Sequence, residues 1–281
     1  MTTLIESKCG QLKLSVRDRV TKQSVAEGEE RYGNWATQNY RWNQSDYNHP
    51  GFRAVYFDRL YKSRAEIVYE ALDYCDSDLP NVLEVDDLKV VSFGCGPGCD
   101  LLGFQQYYQQ KKNKRISELK KRLKRLQTQP TQDSSRHHHG ISSASDTKAM
   151  IRQLENAKVS YTGYDSCSGW REYISRLGSG YSFSEKRIDK RFVDGMEPVD
   201  VAILCYFAHS ANLHQPRQSS FWESLKRKCK VILVLDTAYN KKEFNGMLSS
   251  LRFRELDTGL KDEGGRDVYT TLWTRSTATR A

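Results

Sequence analysis

The sequence predicts an α/β fold: a mostly parallel sheet with helices on both faces and an antiparallel strand at its C-terminal edge. Three observations carry this. Short apolar runs alternate with amphipathic stretches from Leu88 onward. The first run, Leu88-Lys-Val-Val-Ser-Phe93, enters a glycine turn, Gly94-Cys-Gly-Pro-Gly98, and helical spacing resumes from Asp100. The last two runs, Phe253–Asp257 and Asp267–Thr274, flank Lys261-Asp-Glu-Gly-Gly265, which reads as a hairpin connection.

The composition sets the frame. The chain has 281 residues, 38% hydrophobic and 28% charged, which suits a polar globular protein. No apolar run approaches the roughly 18 residues of a spanning helix. Met1-Thr-Thr-Leu-Ile-Glu-Ser-Lys-Cys9 lacks the basic head and apolar stretch of a secretory signal. Seven scattered cysteines oppose a disulfide framework and point to a reducing compartment, cytoplasmic or nuclear. Cys95 and Cys99 bracket the glycine turn without a second pair of soft ligands, so no metal is expected there.

In chain order, residues 1–30 have weak periodicity and read as a frayed arm or short helix. Tyr32, Trp35, Tyr40, Trp42, Tyr47, Phe52, Tyr56 and Phe57 crowd the next stretch. Their rings are expected to pin a loop to the core, with a lid or base-stacking surface as the alternative. Phe57, Leu60, Tyr61, Ile67, Val68, Ala71 and Leu72 recur at helical spacing, so Phe52–Cys75 is a long helix, and 81–87 a connector. The helix opening at Asp100 continues through Ile116, Leu119, Leu123 and Leu126. Residues 128–146 read as a flexible polar loop in which His137–His139 are solvated rather than metal-bound. Thr147–Ala157 is a helix, Val159–Asp165 the second strand, and Gly169–Leu177 a helix capped by Ser168. Tyr181–Asp189, Val199–Phe207 and Val231–Asp236 are strands three to five, with helices over Ser219–Lys228 and Lys242–Leu251.

Charge is concentrated. Residues 111–128 hold nine basic residues and one glutamate, a net +8 of the chain's +9, which leaves +1 for the other 263 residues. Lys120, Lys121, Arg122, Lys124 and Arg125 are its densest part. Such a helix could track RNA or DNA phosphates, lie on an anionic membrane or pair with a helical protein partner; its leucines could equally dock on the parent domain. Nucleic acid is the favoured reading, because clustered charge on a near-neutral body suggests a dedicated surface.

A glycine loop after strand one and an acid, Asp165, closing strand two follow the logic of a dinucleotide fold. The loop, however, is Gly-x-Gly-x-Gly, and the sheet ends in a hairpin. Together these resemble the class I, Rossmann-like S-adenosylmethionine-dependent methyltransferases over roughly Val82–Thr274. The resemblance implies S-adenosylmethionine as cofactor, held by Ser92, Gly94, Cys95, Gly96, Pro97, Gly98, Asp100 and Cys205, with Asp165 on the ribose and Asp189 near the adenine. It implies residues 82–281 as the methyltransferase domain, with a basic helical and flexible insertion at about 109–146. Residues 1–81 are then an N-terminal helical, aromatic-rich extension.

Three departures stand out. Ser92 occupies the place where the family usually has an acid. The insertion separates the loop from Asp165. Cys205-Tyr-Phe-Ala-His-Ser210 matches no acceptor signature of that family. Acceptor-side candidates at the end of strand four are Tyr206, His209 as a general base, and Ser210, with Asp236 ending strand five. The expected activity is methyl transfer, to RNA before protein or a small molecule. The alternatives are a non-catalytic S-adenosylmethionine sensor or RNA-binding partner subunit and, behind both, a dinucleotide-dependent oxidoreductase.

Overall fold

A computed structural model describes residues 3–17, 20–34, 42–79, 86–128 and 143–275. Trp35, Tyr40, His137–His139 and most of the expected connector at 81–87 lie outside them. Helices α1 (Leu4–Arg17), α2 (Lys22–Gly33), α3 (Gln44–Asn48) and α4 (Pro50–Tyr74) precede the first strand. Then come β1 (Asp87–Phe93), α5 (Cys99–Thr128), α6 (Ala144–Asn156), β2 (Lys158–Asp165), α7 (Arg171–Ser175), β3 (Tyr181–Glu185) and α8 (Lys190–Gly195). The chain continues through β4 (Val199–Cys205), α9 (Ser219–Lys228), β5 (Cys229–Thr237), α10 (Lys241–Ser250), β6 (Arg254–Leu256) and β7 (Val268–Thr274).

The seven strands are ordered β3-β2-β1-β4-β5-β7-β6. Every pair from β3 through β5 is parallel, while β7 runs antiparallel to both β5 and β6. The fold is therefore Rossmann-like with antiparallel C-terminal strands. It differs from the dinucleotide order 3-2-1-4-5-6 by the strand inserted beside β5. The antiparallel strand is β7, one in from the edge, because the three-residue β6 covers it.

Period-two alternation explains why the central strands read as unbroken apolar runs. Leu88 and Val90 of β1, Val201 and Ile203 of β4, and Leu233 of β5 face one layer, built on Val68 and Leu72 of α4 and Leu101 and Phe104 of α5. Val91, Phe93, Ala202, Leu204, Ile232 and Val234 face the other, against Val193, Phe221, Trp222, Phe244 and Leu248. Both faces are covered, so both alternations are apolar.

Four expectations change. Residues 4–17 and 22–33 form two helices rather than a frayed arm. Among the described side chains of α1, Ile5 and Leu12 are buried in its core cluster, with Leu4 and Cys9 packed against it, a pattern too sparse to mark the period in sequence. Tyr32, Trp42, Tyr47, Phe52 and Tyr56 do pack as a cluster with Trp170, but α2, α3 and α4 carry most of them rather than a loop. Strand β3 ends at Glu185, and Asp189 instead caps α8 through the Phe192 N–H at 2.9 Å. Ser168 lies inside a 3-10 turn, Ser168–Trp170, that precedes α7, and supplies no cap.

The basic helix is continuous with α5, which runs 30 residues. Its leucine stripe is covered within the chain: Leu119, with Ile116 and Leu123, packs on Met150, Ile151 and Leu154 of α6. That apolar face is thus taken, which removes the basis for docking a separate helical protein there. No helix among the described residues is long and apolar enough to cross a membrane.

Candidate functional site

Strand order reverses between β1 and β4, and their carboxyl ends open a crevice where such sheets bind ligands. One wall is the glycine turn. The N–H groups of Gly94 and Cys95 both donate to the Tyr164 carbonyl, at 2.8 and 3.2 Å, and the Gly98 N–H donates to the Cys95 carbonyl at 2.8 Å. Gly94, Gly96 and Gly98 all have positive φ, +65°, +48° and +88°. Their surroundings differ. A Cβ on Gly94 would lie 2.0 Å from the Phe207 ring, whereas one on Gly96 would meet nothing within 4 Å. Gly94 thus makes room for Phe207, and Gly96 is the residue that leaves backbone open to a ligand. The Cys95 side chain turns inward against Gly163, and Pro97 is buried, so both could meet a ligand only through backbone.

Asp165 ends β2 beside this loop. Its Oδ2 accepts the Gly96 N–H at 3.0 Å and its Oδ1 the Cys167 N–H at 2.8 Å. Burial pushes its pKa up, against the pull of the Cys167, Gly96 and Ser166 N–H groups. With three N–H groups on about four lone-pair sites, the carboxylate can still accept a further donor. The loop after it is closed over by the N-terminal segment, with Gln44 bonded to Ser166 and the Cys167 thiol 3.1 Å from the Tyr47 carbonyl.

Beneath the turn, the Ser92 hydroxyl donates to the Asp100 carboxylate, which is 1% exposed. The carboxylate beside position 92 is therefore supplied from the first turn of α5. Burial raises the Asp100 pKa to about 6, opposed by the Ser92 bond, its own backbone N–H, Cys99 and the Arg64 guanidinium. Burial also holds the Cys95, Cys99 and Cys205 thiols far above their ordinary range, so they stay protonated.

Arg64 of α4 was not legible as a site residue. Its only sequence signal is its position on the apolar stripe between Tyr61 and Val68. Its guanidinium donates to the Tyr56 hydroxyl and stacks 4.3 Å from the Tyr206 ring centroid. Arg64 Nε and the Tyr206 hydroxyl are both buried and have no hydrogen-bond partner among the described residues. Tyr206 sits at φ +55°, a strained backbone for a bulky side chain, at the first position beyond β4. Burial pushes its hydroxyl pKa up, so it can donate a hydrogen bond but not serve as a base.

The remaining strand-four candidates are engaged. His209 Nε2 lies 3.2 Å from Glu243 Oε2, and its backbone N–H donates to Asp236 Oδ2 at 3.3 Å. Ser210 bonds back to the Tyr206 and Phe207 carbonyls at 3.2 and 3.0 Å. Asp236 is buried and also accepts the Thr237 N–H and the Asn240 amide, both at 2.8 Å, which fits it to anchoring the turn. On α5, Lys120 pairs with Glu155 at 3.0 Å, while Lys121, Lys124 and Arg125 are exposed and Arg122 is half-buried.

No protein-family model and no curated protein matches this chain. Among solved structures, a TehB-like S-adenosylmethionine-dependent methyltransferase from Corynebacterium glutamicum is 10% identical, with 81% of this chain and 100% of that one aligned at a TM-score of 0.41. The 16S rRNA methylase ArmA is 12% identical, covering 85% and 94% of the two chains at 0.40. A methyltransferase from Aquifex aeolicus that uses the same cofactor is 12% identical, covering 74% and 97% at 0.36. Each is a likeness in chain path.

Proposed function

We propose that this protein binds S-adenosylmethionine in the crevice between β1 and β4 and transfers its methyl group to RNA. One observation carries the cofactor reading: the open, positive-φ Gly96 donates its N–H to Asp165, joining the glycine turn and the acid into one corner. Arg64 Nε and the Tyr206 hydroxyl, buried and without partners among the described residues, fit a ligand whose second end is anionic. S-adenosylmethionine has both ends, a ribose diol and an amino-acid carboxylate. Asp165 would accept from the diol, and Arg64 and Tyr206 would hold the carboxylate. The bound cofactor supplies a methyl group already activated on a sulfonium. The chain's own task is then to orient, exclude water and receive an acceptor. Asp189 and Cys205 contribute through position rather than free side-chain groups, since one caps a helix and the other is buried.

RNA is the acceptor that the charge distribution supports. The exposed Lys121, Lys124 and Arg125 project from a helix pair whose apolar seam is already sealed, which leaves the basic face to solvent and phosphates. Tritiated-methyl transfer from the cofactor to total RNA and to total protein tests this directly. Label in RNA is expected, with binding that weakens as salt rises. Label only in protein would reassign the acceptor.

A second reading has its own support. Ser92 replaces an acid, and His209 is turned onto Glu243 rather than left free as a base. Cofactor binding without label in any acceptor would make the chain a sensor or an RNA-binding partner subunit.

A further inference from the structure

We infer that His209, His214 and Glu243 form a binding site for a divalent first-row cation, zinc foremost, at the carboxyl ends of β4 and β5. The inference stands apart from the methyl-transfer reading. Both imidazoles bring Nε2 to the same carboxylate oxygen: His209 Nε2 lies 3.2 Å and His214 Nε2 3.3 Å from Glu243 Oε2. All three donor atoms fall within 4.8 Å of one another. A tetrahedral zinc with bonds of about 2.0–2.2 Å needs neighbouring donors roughly 3.4 Å apart, so two of the three edges already have the required length. The ring centroids are 4.9 Å apart, close enough for both imidazoles to share one ion.

The chain holds these donors in place from several directions. The turn after β4 is closed by Ala211 N–H on the Phe207 carbonyl at 2.9 Å and Leu213 N–H on the Ala208 carbonyl at 2.8 Å. Asn212 takes φ +57° between the two histidines. Asp236 grips the His209 backbone, and Trp222 donates to the Leu213 carbonyl at 2.8 Å. Phe244, next to Glu243, packs its ring 5.7 Å from that of His214. The imidazoles are mostly covered, with side chains 22% and 14% exposed, while Glu243 at 47% leaves the site open to solvent.

Two nitrogens and one oxygen select zinc over magnesium, which favours oxygen alone. Three protein ligands leave a fourth position for water or an incoming oxygen, the pattern of an open rather than a closed structural site. With an ion present, His209 is a ligand and is unavailable as a general base.

The test uses the full chain with His137–His139 replaced by alanine, freed of metal by chelator and titrated calorimetrically with zinc and, separately, magnesium. One zinc per chain is expected, with a Kd below about 1 µM, and no magnesium binding in the same range. H214A and E243Q are each expected to weaken zinc binding about tenfold or more. Their unfolding midpoints without metal show whether each variant folds; the exposed E243Q keeps the question decidable if H214A does not. Cobalt in place of zinc should give visible bands without the near-ultraviolet absorption of cobalt–thiolate bonds. No zinc binding below about 100 µM, unchanged affinity in E243Q, or a thiolate band would each overturn the site.

Discussion

The two sides of the crevice are built from different materials. On the β1–β2 side, the polar groups are main-chain N–H groups of the glycine turn, held by the Tyr164 and Cys95 carbonyls, and one carboxylate, Asp165, which holds the Gly96 N–H. On the β4–β5 side, they are long side chains: Tyr206 and His209 from the turn, Arg64 from α4 and Glu243 from α10. The first side is a backbone device, pre-shaped before any ligand arrives. The second is an assembly in which Arg64 Nε and the Tyr206 hydroxyl have no hydrogen-bond partner among the described residues. The first therefore offers main-chain donors and one carboxylate, and the second side-chain groups gathered from separate elements.

The sharpest way to break this contrast is within the glycine turn. G94A should lower unfolding stability by about 4 kcal/mol, because φ is +65° and the new Cβ would overlap Phe207. G96A should lower it by only about 1 kcal/mol, yet reduce cofactor affinity. Urea unfolding checks both; equal losses would mean that the two glycines are not doing different jobs.

Asp100 tests the layer beneath. Its folded pKa of about 6 exceeds the ordinary 3.8, so its contribution to stability is complete below the unfolded value and is lost as pH rises through 6. The wild type should lose roughly 3 kcal/mol between pH 3.5 and pH 7.5 relative to D100N. Parallel stability profiles for the two proteins would show that the carboxyl is not buried as described.

Asp165 comes next in size. D165A should weaken S-adenosylmethionine binding by about 1–3 kcal/mol, through lost ribose bonds and a loosened Gly96. Undiminished affinity by calorimetry would remove it from the site. The smallest effect belongs to the other side. Y206F deletes a buried hydroxyl that has no partner among the described residues, so stability should change by less than about 0.5 kcal/mol while affinity falls by about 1 kcal/mol. A large stability loss would mean that the hydroxyl serves the fold.

The same contrast governs what could be read from residues alone. Strands β1, β4 and β5 were legible because a sheet covered on both faces leaves continuous apolar runs. Gly94–Gly98 was legible because backbone chemistry is local to a short motif, and Asp165 because it is the acid that closes the second strand's apolar run. The end of β3 was not, since this half-buried edge strand has no clean alternation to mark where pairing stops. Arg64 and Glu243 were hidden because their partners lie far along the chain, and a charged residue on a helix ordinarily faces water. The leucines of residues 116–126 showed their stripe plainly, but only tertiary structure shows α6 covering it.

The central claim is that the β1–β2 corner holds S-adenosylmethionine. Calorimetric titration of the full chain with S-adenosylmethionine, S-adenosylhomocysteine and NAD, repeated with D165A, tests it most directly. One-to-one binding of the first two is expected, weaker in D165A, with no competition from NAD. Binding of NAD in preference, or no binding of either methionine-derived ligand, would contradict it.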